Sequence, residues 1–216
     1  MKVYTFFTDS HKVFLNNFIE TFPFEEGLDL EIKYFPQECR SGKYREDGWK
    51  KTMWKKVEYI IESLNETEDN EMFVHADIDI QFFGNIKNDL IQLIDSSNKD
   101  ILFQDDGGVV CMGFFICRKN EKTLSFFKKV LEFLNSFEDD QVATNYFLKE
   151  NTVSYGILPQ RYYTVGIKHG LWFGDETKFE IPNDILMHHA NYTKGVDNKL
   201  KLLKHIKEIF NYELTK

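Results

Sequence analysis

The chain has 216 residues, a formal net charge of -8 and 16% aromatic side chains, with 21 Phe. That length suffices for one domain with a full core, and that aromatic content excludes a disordered chain. The negative balance repels a polyanion and so argues against nucleic acid, while a small anionic ligand stays open because one bound cation reverses the local sign.

In chain order, "KVYTFFT" (2–8) reads as a strand, followed by Asp9-Ser10 as an N-cap pair for an amphipathic helix over "KVFLNNFIETF". "LDLEIKYF" (28–35) is a second strand. After the polar loop "QECRSGKYRED" comes a helix, "GWKKTMWKKVEYIIESL", with Met53, Val57, Ile60, Ile61 and Leu64 on one face. "EMFVHAD" is the third strand, "IKNDLIQLID" a helix and "DILFQD" a fourth strand. "GVVCMGFFICR" (108–118) is apolar enough for a strand buried on both faces. Two helices, "EKTLSFFKKVLEFLNSF" and "DDQVATNYFLKE", follow, and "NKLKLLKHIKEIF" (198–210) is the last. Alternating strands and helices predict an α/β fold over 1–216, with a single mixed, mostly parallel, Rossmann-like sheet flanked by helices. Cys39, Cys111 and Cys117 are odd in number and lack metal-finger spacing, as in a reducing compartment. The N-terminus lacks a signal-peptide pattern and no stretch approaches a membrane span, so a cytoplasmic protein is expected.

Ligands of open α/β sheets bind at the carboxyl ends of the parallel strands. "EMFVHADIDIQFFGNI" (71–86) sets Asp77 and Asp79 at that end of the third strand. Two residues apart in an extended segment, their side chains leave one face together. Paired carboxylates either raise one pKa or recruit a cation, and oxygen ligands suit Mg2+ and Mn2+, which neutralise a diphosphate. Two solvated aspartates in a turn are the alternative. Further along, "LMHHANYTKGVDNK" (186–199) has a strand-like start, so at most one of His188 and His189 faces the site, where imidazole is a ligand for Mn2+. Gly195, just before the last helix, lets backbone N–H groups approach a phosphate, and Lys199 adds a point charge. Here the alternative is a core histidine beside a surface one, with Lys199 on a solvated helix face.

These segments and their order resemble the nucleotide-diphospho-sugar transferases, the glycosyltransferases of the GT-A fold with a D-x-D motif. "HADIDIQFFGNI" resembles that family's D-x-D strand end, and "HHANYTKGVDNK" its late H-x-N…G…K segment. "LFQDDGGVVCMGFFICRKN" is similar to the loop before its central buried strand, and "DDQVATNYFL" to the D-Q-x-x-x-N helix beside the sugar pocket. The resemblance implies a Mn2+ (or Mg2+) ion on Asp79 and His189, with Asp77 assisting the metal or reaching the ribose. The donor would contact Ile78 within the motif, and Asn191, Gly195 and Lys199 would hold its diphosphate. Thr8 and Asp9 would meet the nucleobase, with Trp49 and Lys51 as further candidates for that pocket. Asp140 and Gln141 would line the face of the sugar; Asp139 and Asp105-Asp106 are rivals, Asp139 being also a natural N-cap. The implied reaction moves a sugar from a nucleoside diphosphate, UDP being the family's usual one, to a hydroxyl of a glycan or other acceptor.

The chain departs from the family at Cys111-Met112-Gly113, where relatives carry Asn-Ala-Gly or Asn-Ser-Gly. At this length the resemblance leads to the expectation of a catalytic core without stem or anchor, similar to those of bacterial surface-glycan pathways or large DNA viruses. Nucleotidyltransferases need a glycine-rich loop after the first strand, and "TFFTDSHKVF" has no glycine. Haloacid-dehalogenase-type phosphatases carry Thr or Val two places after their D-x-D, where Gln81 stands here. A degenerate nucleotide-sugar-binding protein or partner subunit is the non-enzymatic alternative.

Overall fold

The computed structural model describes residues 1–40, 46–175 and 177–213. The centre of the polar loop expected at 37–47 lies outside them. Strand β1 (Lys2–Phe7) is rich in β-branched and aromatic residues, which suit a pleated surface, and it lies inside the larger sheet. A 3-10 turn (Asp9–Phe14) then leads into α1 (Leu15–Thr21), so the helix starts later than its periodicity suggests. Asp9 caps nothing there. Its carboxylate accepts from the Tyr34 hydroxyl and the Gln37 N–H, which hold it against the neighbouring strand end.

The chain continues through β2 (Asp29–Tyr34), α2 (Trp49–Glu66), β3 (Met72–Ala76), β4 (Ile80–Phe82), α3 (Lys87–Ser97), β5 (Ile101–Asp105) and β6 (Val110–Arg118). After α4 (Glu121–Phe133) and α5 (Asp140–Leu148) come β7 (Tyr155–Ile157), β8 (Tyr162–Tyr163), α6 (Gly166–His169), β9 (Met187–His189) and α7 (Val196–Glu213). Six strands form the larger sheet in the order β2-β1-β3-β6-β5-β7, with β6 antiparallel to both neighbours and the others parallel.

Alternation along the strands supplies two cores. Val3, Val74, Phe114 and Ile116 pack on one face with residues of α1, α3 and α7. Tyr4, Phe73, Phe115 and Cys117 pack on the other with residues of α2, α4 and α5. The central strand β6 is buried from Val110 to Cys117, as its unbroken apolar run requires. On α2 the buried stripe is turned from the expected one. Lys56, Val57, Tyr59, Ile60, Ser63 and Leu64 are buried, while Met53 and Ile61 are half-buried. A lysine therefore rides on the core-facing side of this helix.

A smaller sheet, β4-β9-β8, sits beside the larger one. It pairs Ile80 with His189, so a strand more than a hundred residues away is joined to the segment directly after Asp79. Strands this short carry little periodic signal, and β4, β7 and β8 are not evident in the sequence. Among the described residues, no helix is long and apolar enough to cross a membrane.

Candidate active site

A cavity of about 560 Å³ opens at the carboxyl ends of β1 and β3. Phe7 and Thr8 wall one side, Asp77 to Asp79 the floor, and Cys111 to Gly113 of β6 the adjoining side. Helices α2 and α5 contribute Trp49, Lys56, Asp140 and Gln141, and the segment after β9 contributes Asn191, Lys194 and Lys199.

Strand β3 ends at Ala76, so Asp77 and Asp79 lie in a turn and not in the extended segment expected. They converge all the same, because each backbone is tied to a different sheet. Asp77 N–H donates to the Gly113 carbonyl of β6 (2.7 Å), and the Asp79 carbonyl accepts from Ala190 N–H just past β9 (3.0 Å). His189 Nε2 stands 3.4 Å from Asp79 Oδ1 and 4.0 Å from Asp77 Oδ2. One ligand atom from each of Asp77, Asp79 and His189 falls within 4.8 Å of the others. Two close carboxylates repel each other, and here Lys56, Lys199 and His189 stand against them. Two hard oxygens and one imidazole nitrogen form a donor set that can hold Mn2+ or Mg2+. Lys199 Nζ is ion-paired with Asp79 Oδ2.

Electrostatics agree with the geometry. Burial alone would raise both aspartates, but Lys56 and His75 hold the Asp77 carboxyl well below the usual range, and Lys199 and His189 do the same for Asp79. Burial alone would lower His189; the Asp79 carboxylate overcomes it and carries the imidazole up to about 10. The adjacent His188 faces away from the cavity, next to Gln81, and burial depresses it to about 3. Only one histidine of the pair reaches the site, as strand alternation requires.

Lys56 is the residue that periodicity alone obscures. Its ammonium lies 3.0 Å from Asp77 Oδ1 and 3.3 Å from Asp140 Oδ2, and its side chain is 4% exposed. Burial and Asp77 raise the Asp140 carboxyl against the pull of Lys56. Asp139 is the N-cap of α5 and accepts from Val142 N–H, which leaves Asp140 and Gln141 in the first turn. Gln141 donates to Asp106 Oδ2 (2.6 Å) and accepts from Met112 N–H (3.3 Å). Asp106 Oδ1 accepts in turn from Asn191 Nδ2 (3.0 Å), whose oxygen is taken by the Thr164 hydroxyl. Burial raises the Asp106 carboxyl. Asp105 lies off the cavity wall and closes its own loop by accepting from Gly107 and Gly108 N–H.

Of the remaining expected residues, Thr8, Ile78, Trp49, Asn191 and Lys199 line the cavity. Asp9, Lys51 and Gly195 do not. Asp9 is held by Tyr34 and Gln37, and Lys51 is exposed on α2. Gly195 stands at positive φ (85°) just before α7 and beside open space. His11 and Lys194 line the cavity without having been expected there; neither belongs to a spaced motif. Cys111, Met112 and Gly113 all line the cavity, and Cys111 Sγ contacts the His189 ring (3.7 Å).

Gly113 is the one member of that tripeptide the packing demands. A Cβ there would overlap the His189 ring and stand 2.8 Å from Asp77 Oδ2. Gly113→Ala is therefore expected to lower stability by about 1–3 kcal/mol through overpacking, and to weaken turnover about 100-fold by displacing the carboxylate-imidazole cluster. Thermal melting and nucleotide-sugar turnover of the variant check both; unchanged turnover would show that the cluster tolerates the shift.

Residues 31–203 match the nucleotide-diphospho-sugar transferase family. The chain belongs to it. The fold agrees: a glycosyltransferase involved in glycosylation of the major capsid of PBCV-1 superposes with a TM-score of 0.59 at 13% identity, covering 93% of this chain and 95% of that one. The glycosyltransferase GlyE of Streptococcus pneumoniae TIGR4 follows at 0.55 and 14%, covering 87% of this chain and 53% of that one. The sheet is thus of the GT-A type. A UDP-galactose:fucoside alpha-3-galactosyltransferase of Dictyostelium discoideum is 31% identical over 86 residues, which is 40% of this chain and 13% of that protein.

Proposed function

We propose that this transferase moves a sugar from a nucleoside diphosphate, with UDP-sugars the leading donors, to a hydroxyl of a glycan or other acceptor, using Mn2+ or Mg2+ on Asp77, Asp79 and His189. The observation that carries this reading is the Asp-Asp-His cluster with Lys199 at the floor of the large cavity. The partial match to a UDP-galactose enzyme supports UDP as the nucleotide.

A bound divalent ion would supply positive charge for the diphosphate leaving group. The chain's own residues do the rest. Lys199, on the cavity wall beside Asp79, would set its ammonium against the developing negative charge. Thr8, Ile78 and Trp49 give the nucleoside a half-apolar slot. Asp140 and Gln141, fixed by Lys56, Asp106 and Met112 N–H, would line the sugar pocket. Release of nucleoside diphosphate from a panel of nucleotide sugars, with Mn2+ and with EDTA, tests the proposal. Metal-dependent release from one donor supports it. Tight donor binding without release or transfer would instead mark a degenerate binding protein.

The His189 shift adds a pH test. A metal ion needs the neutral ring, while the Asp79 carboxylate beside His189 pushes its pKa up to about 10. Ion and proton therefore compete, and lowering the pH weakens the ion. Mn2+ binding is expected to release about one proton at neutral pH and to tighten about tenfold per pH unit. Titration calorimetry at pH 6.5, 7.5 and 8.5 in buffers of different ionisation heat measures this; a pH-independent affinity would take His189 out of the ligand set.

A further inference from the structure

We propose that Gln104 is a positioning residue that fixes the tautomer of His189, so that the ring presents Nε2 and not Nδ1 to the two aspartates. The inference rests on the reading of Asp77, Asp79 and His189 as a metal site. Gln104 is fully buried on β5, where the register with β6 shifts between Phe103 and Gln104. Such an irregularity re-aims a side chain, and this one points across to the smaller sheet. There its amide donates to the carbonyls of Tyr162 (3.2 Å) and Tyr163 (3.1 Å). Carbonyls only accept, so the NH2 group must face them and the amide oxygen must face the other way. That oxygen is 2.9 Å from His189 Nδ1. An amide oxygen cannot donate, so Nδ1 carries the hydrogen, and the lone pair of the neutral ring lies on Nε2. Cys111 Sγ, also on the Nδ1 side, is at most a weak second acceptor.

His188 shows the opposite arrangement one residue away. Gln81 Nε2 donates to the Leu203 carbonyl (3.0 Å) and faces His188 Nδ1 at 3.3 Å, so that nitrogen is the acceptor. Two buried glutamines thus set two adjacent histidines in opposite tautomers, and only the His189 form offers its lone pair toward the cluster. Partners of this kind on a ligating histidine change metal affinity by about 10–100-fold when removed.

The test measures Mn2+ affinity directly, from the electron paramagnetic resonance of free Mn2+, without donor or turnover. Gln104→Met keeps the length of the side chain and removes the acceptor; Mn2+ binding is expected to weaken about 10–100-fold. Gln104→Glu keeps an oxygen against Nδ1 and, by taking up a proton to donate to the Tyr162 or Tyr163 carbonyl, is expected to recover part of the loss at a lower melting temperature. A purely structural role would lower the melting temperature of both variants and leave Mn2+ affinity as in the parent, which would overturn the proposal alone. A parent that binds no Mn2+ would overturn the metal reading and this inference with it. The parent also gives an answer that needs no Gln104 variant to fold. With diamagnetic Zn2+ bound, nitrogen-15 spectra should show the His189 proton on Nδ1, assigned by its absence in His189→Gln. A proton on Nε2 contradicts the proposal.

Discussion

Asp79→Asn is expected to abolish Mn2+-dependent donor binding and to lower kcat/KM by more than about 10³-fold, or about 4 kcal/mol of transition-state stabilisation. Asp79 is 4% exposed and faces both Lys199 and His189 Nε2. Asparagine fills the same space but offers an ion one neutral amide oxygen in place of a charged carboxylate. Lys199 is partly exposed, so its ammonium can turn to water once its partner is neutral, and the fold is expected to survive at a cost of about 1–3 kcal/mol. Donor titration with and without Mn2+, beside a circular-dichroism melt, separates the two effects. A variant that binds donor as well as the parent in Mn2+ would remove Asp79 from the metal site.

Lys56→Met acts on stability first. Its ammonium is the shared counter-ion of Asp77 and Asp140, and removing one partner of a buried ion pair typically costs about 3–5 kcal/mol because a charge is left uncompensated. The sign of the pH dependence follows from Asp140. Burial already raises its folded pKa, and loss of the lysine raises it further. A carboxyl with a folded pKa above its unfolded value binds more protons when folded, so stability falls as pH rises through that folded pKa and is regained on acidification. The deficit of the variant relative to the parent should be smaller at pH 5.5 than at pH 8. Urea unfolding at the two pH values measures it, and an equal deficit at both would mean that Asp140 is not the stranded charge.

Periodicity made β1, β3, β5 and β6 of the larger sheet legible because they are long and apolar enough to alternate over two cores. β4, β7 and β8 have two or three residues each and gain their place from pairing, which a single sequence does not display. The cluster was legible as residue types: D-x-D and one of two histidines. What joins them is the Ile80–His189 register, a long-range fact. Lys56 and Gln104 escaped because a polar residue on an amphipathic element is ordinarily solvated. The available signal for Lys56 was its spacing, four residues before Ile60 and eight before Leu64, on the stripe that is buried. Asp9, by contrast, sits where a strand-end carboxylate should meet a ligand, and local hydrogen bonds to Tyr34 and Gln37 claim it instead.

The most direct test of the central claim is a thermal-shift screen of nucleotide sugars, each with and without Mn2+, since a ligand of the native state raises Tm by mass action. The account predicts a rise with one nucleotide sugar, UDP-linked first among them, that appears only when the metal is present. A rise of equal size without Mn2+, or none with any donor, would contradict the metal-bridged donor site on Asp77, Asp79 and His189.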